Sequence, residues 1–369
     1  MRTVFRLSVS FCLSWLAVAQ QGTPPAASGQ ISAAPSSAAA PSTSHHDIWL
    51  DVVVTDKAGN AVPGLAEQDF TLLDDKQPRN ITSFHAADAT NRAPDPGLRV
   101  VFVVDAVNAG VQSVNYGRLQ LTKFLRQDGG RLSLPTSLVL FTDKDTRIQP
   151  SSTRDGNALA ESLDSNQTGL RVLSRSSGFY GAQERLDLSL KTIDQLAGYE
   201  RTQPGRKLVL WMSPGWPMLS GPNVELTAKM EQWLFNTIVT LSRELREAGI
   251  TLYSIDPLGM NDAGGFRTFY YESFLKGVPS YNKVQAGNLA LQVLAVQSGG
   301  RVMNTNNDVA KEIAECLKDA NAFYSLSFDS PPADHPNEFH ALEVKVDKPG
   351  LKARTRTGYY AEPYATTQR

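Results

Sequence analysis

The sequence predicts an α/β fold: a doubly wound, mostly parallel sheet, with a small β-sandwich-like unit formed by the N- and C-terminal flanks. Three observations support this class. Continuous apolar runs at 100–104, 207–212 and 250–255 are typical of strands buried on both faces. Segments with apolar residues at helical spacing alternate with these runs, as in sheets covered on both sides. The flanks instead alternate apolar and polar residues, which indicates strands with one exposed face.

The alternating elements lie in the central part of the chain, residues 98–322. Strands at 137–141 and 301–303 complete the predicted sheet. Helices are predicted, from the spacing of their apolar residues, over 113–127, 184–197, 225–248, 284–297 and 307–318.

The two flanks are predicted to be β structure. Residues 47–90 form an N-terminal β unit, and residues 323–363 form a C-terminal region that ends in a hairpin of 342–346 with 351–360. The strands of the N-terminal unit are predicted at 48–54, 69–73 and 81–85. We expect the two flanks to join into one unit.

The N-terminus has the features of a secretory signal peptide, residues 1–19. Arg2 and Arg6 precede an apolar stretch that is too short for a permanent span, and small residues at 17–19 fit a cleavage site. The alternative is a short uncleaved anchor. Residues 20–46 are rich in Ala, Ser and Pro, a composition that predicts a flexible tether. We therefore expect export to the periplasm or the extracellular medium.

Cysteine content and charge narrow the setting. Cys12 leaves with the signal peptide, so Cys316 has no partner for an internal disulfide, which fits a bacterial envelope. The 36 basic and 37 acidic residues give a net charge of -1, which argues against nucleic acid as a partner. No apolar run after residue 20 is long enough to cross a membrane, and no feature indicates an oligomeric state.

Three separated blocks resemble a known family. The segment from Arg99 to Asn108 resembles the first strand of a von Willebrand factor A domain. The blocks at 51–84 and 339–360, which include Asp69-Phe70-Thr71-Leu72-Leu73 and Arg354-Thr355-Arg356-Thr357-Gly358-Tyr359-Tyr360, resemble the exported VWFA-related family that is abundant in acidobacteria. The resemblance spans about residues 47–363 and implies the fold more than a function.

The resemblance also implies a divalent cation site, which is degenerate here. In the family an Asp and two Ser follow the first strand, a Thr comes from a later loop, and an Asp follows the fourth strand. Asp105 is present, but Val107 and Ala109 occupy the serine positions and Ser213 follows the fourth strand. Residues 181–183 contain no threonine.

One carboxylate makes a poor cation site, so we expect no cofactor. If Mg²⁺ did bind, Asp105 would be its main ligand, with weak help from Asn108 and Ser213. The alternative role for Asp105 is to accept hydrogen bonds from the following turn.

Ser213 also raises the alternative of a serine hydrolase. The segment Trp211 to Gly215 shares a serine and a glycine with the nucleophile elbow but lacks its first glycine. No histidine lies near it in sequence, so we predict no catalytic residues and no enzyme.

An aromatic segment at 259–281 follows the fifth strand of the sheet. Because ligands of open α/β sheets bind at the carboxyl ends of the strands, its aromatic side chains are candidate ligand contacts. The candidates are Phe266, Phe269, Tyr270 and Tyr271, together with Trp216 on a neighbouring strand end. The alternative is that these rings pack over the sheet edge.

These features favour a non-enzymatic binding or adhesion module that recognises a protein or glycan outside the cytoplasm. The serine hydrolase and a purely structural envelope component are the alternatives.

Overall fold

The computed structural model describes residues 47–88, 97–166, 178–219, 226–259 and 270–363. The predicted signal peptide (1–19), the tether (20–46) and the candidates Phe266 and Phe269 lie outside the described residues.

The described chain contains the following strands and helices. The strands are β1 (Asp47–Thr55), β2 (Phe70–Asp74), β3 (Gln77–Arg79), β4 (Ser83–Asp88), β5 (Arg99–Asp105), β6 (Arg131–Phe141), β7 (Thr146–Ile148), β8 (Thr153–Asp155), β9 (Lys207–Met212), β10 (Ile250–Ile255), β11 (Val302–Met303), β12 (Ala322–Asp329), β13 (Glu338–Val346), β14 (Lys352–Arg354) and β15 (Gly358–Ala361). The helices are α1 (Val111–Leu125), α2 (Gly156–Ser165), α3 (Gly178–Arg201), α4 (Ala228–Glu247), α5 (Leu291–Gln297) and α6 (Val309–Leu317).

The central sheet is mostly parallel and has the strand order β7-β6-β5-β9-β10-β11. Strands β6, β5, β9, β10 and β11 are parallel to one another, while β7 and β8 pair with β6 in the antiparallel sense. Counting the strands along this path gives the order 3-2-1-4-5-6 of doubly wound folds.

Both faces of the sheet are covered because side chains alternate along each strand. In β5, Val101 and Val103 face a core shared with α3, α4 and α5. Val100, Phe102 and Val104 face a second core shared with α1, α2 and α6. The continuous apolar runs seen in the sequence therefore line two hydrophobic cores.

The two flanks of the chain form a pair of four-stranded sheets with a common apolar core. One sheet has the order β14-β1-β12-β4, and the other has the order β15-β13-β2-β3. Strand β1 pairs with β12 through residues 47–52 and with β14 through residues 53–55, so N- and C-terminal strands are interleaved.

The predicted C-terminal hairpin is only partly correct. Strand β14 pairs with β1 in one sheet, whereas β15 returns to pair with the start of β13 in the other. Residues 355–357 between them cross from one sheet to the other, directly after Arg354, which pairs with Asp319. The chain therefore changes sheets within the stretch that the sequence pattern predicted as one strand of a hairpin.

The predicted helix at 284–297 begins later than its apolar pattern indicates. Only Leu291–Gln297 is α-helical, and 3-10 turns occupy Tyr281–Lys283 and Ala286–Leu289. The Phe274 ring lies against Gly287, and the Asn288 amide donates to the Phe274 carbonyl at 3.3 Å. These contacts hold the segment in short turns.

The sequence pattern did not predict β7, β8 and α2, which are short elements beside β6. Within the described ranges, no helix has the length and apolar character needed to cross a membrane.

Candidate functional site

The candidate site lies where β5 and β9 end side by side in the central sheet. Val104 of β5 is in register with Met212 of β9, so Asp105, the last residue of β5, and Ser213, the first residue after β9, lie at the same edge of the sheet. The connections leave these two strands toward opposite faces, and doubly wound proteins bind ligands at such a point.

Asp105 is saturated with hydrogen bonds and is 1% exposed. Its Oδ1 accepts the backbone N–H groups of Val107 and Asn108, both at 2.9 Å. Its Oδ2 accepts Nδ2 of Asn108 at 2.8 Å and Nε1 of Trp211 at 3.0 Å. Both oxygens thus have two donors each, which uses the acceptor capacity of a carboxylate.

Burial and hydrogen bonding act on Asp105 in opposite directions. Burial raises the pKa of the Asp105 carboxyl, and the donors on Trp211, Asn108 and Val107 lower it in part. All four donors are N–H groups, which match an ionised carboxylate because that form only accepts hydrogen bonds.

The cluster extends through Asn108 into helix α3. The Asn108 Nδ2 also donates to Oγ of Ser189 at 2.8 Å, and Ser189 in turn donates to the Arg185 carbonyl at 2.7 Å. These bonds fix the turn after β5 against α3. The observed contacts therefore agree with the alternative role of Asp105, which is to accept hydrogen bonds from the following turn.

A divalent cation does not fit this arrangement. Mg²⁺ needs several oxygen ligands in octahedral order. The Asp105 oxygens are occupied by N–H donors, and the side chains of Val107 and Ala109 are buried without an oxygen to offer. A cation would have to displace donors from Asp105 and leave them unpaired in the core, which is costly.

Ser213 is fully buried and shapes the turn that follows β9. Its N–H donates to the Ile255 carbonyl at 2.9 Å, and its Oγ accepts the Gly215 N–H at 3.2 Å. The described histidines, at 85, 335 and 340, belong to the flanking β unit, and none bonds with Ser213. None of these histidines is therefore placed to act as the general base of a serine nucleophile.

Trp216 lies in the core rather than on the surface where the sequence pattern put it. Its side chain is 4% exposed and packs edge-on against Trp211, with 5.2 Å between ring centroids. The turn at Ser213 directs the chain back over the sheet, which buries the indole. We therefore exclude Trp216 from the ligand contacts.

The described part of the aromatic segment shows both behaviours that the sequence allowed. Phe274 is buried against Ala290 and Val293, and Tyr271 packs against the same cluster. Tyr270 stacks edge-on against Phe274 yet remains 44% exposed. Tyr270 is therefore an exposed ring on a packed base.

Most of the exposed large apolar side chains lie at helix starts or in one connection of the central part of the chain. Eight such side chains are exposed among the described residues, and six of them lie in the first two turns of α1, α3 and α4 or in the connection between β10 and α5. These six, which we call the edge residues, are Val111, Tyr180, Met230, Trp233, Tyr270 and Tyr281. Helix α4 packs against the turn that carries Tyr281, and α5 packs against the turn that carries Tyr270.

A second polar group, not predicted from the sequence, lies in the flanking β unit. His340 Nδ1 is 3.0 Å from Asp74 Oδ1 and 3.5 Å from Asp75 Oδ2. Asp74 is also bonded by the Tyr359 hydroxyl at 3.1 Å and lies 3.4 Å from Arg79. Because His340 and Asp74 are buried and already paired with each other, we interpret this group as structural.

Comparisons with known proteins give weak similarities of fold. No protein-family model matches the sequence, and no curated protein matches it. An aerotolerance-related membrane protein from Bacteroides fragilis is 12% identical with a TM-score of 0.30, over 60% of this chain and 98% of that chain. The manganese-loaded TRAP protein of Plasmodium vivax is 9% identical with a TM-score of 0.35, over 77% of this chain and 97% of that chain.

The pilus adhesin SpaC from Lactobacillus rhamnosus GG is 8% identical with a TM-score of 0.32, over 82% of this chain and 43% of that chain. At these identities and TM-scores, the similarities define neither the fold nor the function of this chain.

Proposed function

We propose that this protein is an exported, non-enzymatic binding module of the von Willebrand factor A type, of the VWFA-related kind found in acidobacteria. It contacts a protein or glycan through the edge residues and needs no cation. The strand order and the residue blocks at 51–84 and 339–360 support the fold assignment. The signal peptide features at 1–19 support export.

The observation that carries the proposal is the exposure of the edge residues. They are six of the eight exposed large apolar side chains of the described chain, and exposed aromatic side chains are typical anchors of protein interfaces. Tyr180 is 82% exposed and Trp233 is 48% exposed. Aromatic rings also stack on sugars, so both ligand classes suit this surface.

The saturated carboxylate supports the cation-free part of the proposal. Asp105 positions the start of α1, because it fixes the turn that leads into Val111, one of the edge residues. Recognition then depends on the shape and apolar character of the edge rather than on a coordinated metal.

The experiment is a capture assay with the purified full chain and native envelope extract. The triple variant Tyr180→Ser, Trp233→Ser, Tyr270→Ser is expected to recover at least tenfold less of any partner than the wild type. Leu119→Ser is the matched control, because Leu119 is also exposed, at 62%, but lies in the middle of α1 and is not one of the edge residues. Equal recovery by the triple variant and the wild type would contradict the proposal.

A further inference from the structure

A cavity of about 240 Å³ lies at the opposite end of the central sheet, between the amino ends of β9 and β10 and the flanking β unit. Among the described residues, its lining includes three arginines, Arg206, Arg246 and Arg356, and one carboxylate, Asp51. Three positive charges and one negative charge leave an excess of two positive charges. The volume equals that of roughly eight water molecules.

Arg206 is a fixed part of the wall. Its Nε lies 3.4 Å from Oδ2 of Asp51, and its Nη1 donates to the Asp319 carbonyl at 3.1 Å. The guanidinium also lies over the Phe323 ring at 4.6 Å from the centroid. Asp51 is therefore already committed to Arg206, and it also accepts the Ser325 hydroxyl at 3.1 Å.

Arg356 is the unusual member of the set. It is 8% exposed, yet within the described residues its guanidinium makes no hydrogen bond and no ion pair. Its charge therefore faces the cavity, where water or a bound anion has to solvate it, and a largely buried charge left without such a partner is unfavourable. Burial, and then the positive charge of Arg246, lower the pKa of Arg356 to about 10, while Asp51 acts in the opposite direction.

The backbone around Arg356 is held in place. The Thr357 N–H donates to the Gln297 carbonyl at 3.2 Å. Gly299, at a φ of +89°, lies so close that a Cβ there would be 2.9 Å from the backbone nitrogen of Arg356. The segment is thus clamped to the end of α5, and the side chain stays in the cavity wall.

Arg246 has a similar environment on the other side of the cavity. It is half-buried in the last turn of α4, and among the described residues it makes no ion pair. Burial also lowers the pKa of Arg246, while the carboxylate of Glu247 acts in the opposite direction. Two guanidinium groups that make no ion pair among the described residues therefore line one cavity.

We propose that this cavity binds a small oxyanion with two negative charges, with Arg356 and Arg246 as its direct partners and Arg206 as a fixed wall. Guanidinium groups bind carboxylate and phosphate oxygens in bidentate pairs, so a phosphate group and a compact dicarboxylate share the required chemistry. The bound anion supplies the missing partners of Arg356. This inference does not depend on the proposed binding role of the sheet edge.

The test is isothermal titration of the full chain with inorganic phosphate and, separately, with malonate, at constant ionic strength set with sodium chloride. We expect saturable binding of at least one of the two anions and a matching rise in Tm. Arg356→Met and Arg246→Gln are each expected to weaken binding at least tenfold. Arg147→Gln, which removes an exposed arginine from β7, is the matched control and should bind like the wild type.

The anion that binds with the lower Kd identifies the ligand class, phosphate or dicarboxylate. No saturable binding of either anion up to tens of millimolar, or equal binding by wild type and Arg246→Gln, would overturn the proposal. Arg246→Gln carries the test if Arg356→Met does not fold, because Arg246 is only half-buried.

Discussion

The two ends of the central sheet carry polar clusters that differ in how fully their charges are paired. At the carboxyl end, Asp105 accepts four hydrogen bonds and has no capacity for a further partner. At the amino end, Arg356 is also buried but makes no hydrogen bond or ion pair through its guanidinium among the described residues. On residue type alone, Asp105 would have been the better candidate for binding a ligand, since it occupies the position of a family cation ligand.

We infer from this contrast that the saturation of hydrogen bonds decides which cluster can bind a ligand. A buried group whose hydrogen bonds are all made inside the protein stabilises the fold and resists a ligand, because binding would first break those bonds. A buried group without partners costs stability until a ligand pairs with it. The following predictions test this difference.

The largest effect is expected for Asp105→Ala. The substitution leaves the Trp211 and Asn108 donors unpaired in the core, so we expect the free energy of unfolding to fall by about 3–5 kcal/mol. Urea denaturation measures it, in buffers with Mg²⁺ and with a chelator. The loss should be the same in both buffers, and a loss seen only with Mg²⁺ would contradict the account.

Glu312→Gln tests a second buried carboxylate, on α6. Burial raises the pKa of Glu312 to about 8, and the nearby Asp256 and Asp308 add to the increase. The folded state favours the protonated form of the Glu312 carboxyl. The stability that this preference contributes is therefore present below the unfolded-state pKa and is lost as pH rises toward 8. We expect the variant to exceed the wild type in stability by about 2 kcal/mol at pH 8 and by much less at pH 4.5. Urea denaturation at both pH values checks this, and an equal difference at both would count against it.

Restoring the family's oxygen ligands sharpens the comparison further. The double variant Val107→Ser, Ala109→Ser places two hydroxyl groups beside Asp105, and their burial should cost about 1–2 kcal/mol of stability. We expect no cation binding by calorimetry, because the Asp105 oxygens remain occupied. Micromolar Mg²⁺ binding by this variant would show that the wild type fails to bind the cation because it lacks the serine hydroxyls, and not because the hydrogen bonds of Asp105 are saturated.

The smallest effect on stability is expected at the sheet edge. Tyr270→Ser removes an exposed ring, so the free energy of unfolding should change by less than about 0.5 kcal/mol. Thermal denaturation measures this change. A larger loss would indicate that the Tyr270 ring contributes to the packed cluster around Phe274 rather than to a contact surface.

The sequence was most informative where local patterns agree with the packing. Strands β9 and β10 have the bounds that their apolar runs predict, because both are buried on both faces between two helical layers. Helix α2 was missed because its apolar side, Leu159, Ala160 and Leu163, is short, although Asp155 at its start is a recognisable N-cap.

The candidate sites depend on contacts that no local pattern reveals. Val107 and Ala109 at the serine positions indicated the loss of ligands, but the Trp211 donor that completes Asp105 is distant in sequence. The arginine cavity gave no sequence signal either. Arg206, Arg246 and Arg356 are far apart in the sequence, and the packing of the flanking unit against the sheet brings Arg356 to the other two.

The most direct test of the saturated carboxyl end is calorimetric titration of the chelator-treated full chain with Mg²⁺, Ca²⁺ and Mn²⁺. The account predicts no saturable heat and no change in Tm with any of the three ions. Micromolar binding that Asp105→Asn abolishes would contradict it, because that result would require Asp105 to exchange its internal donors for a cation.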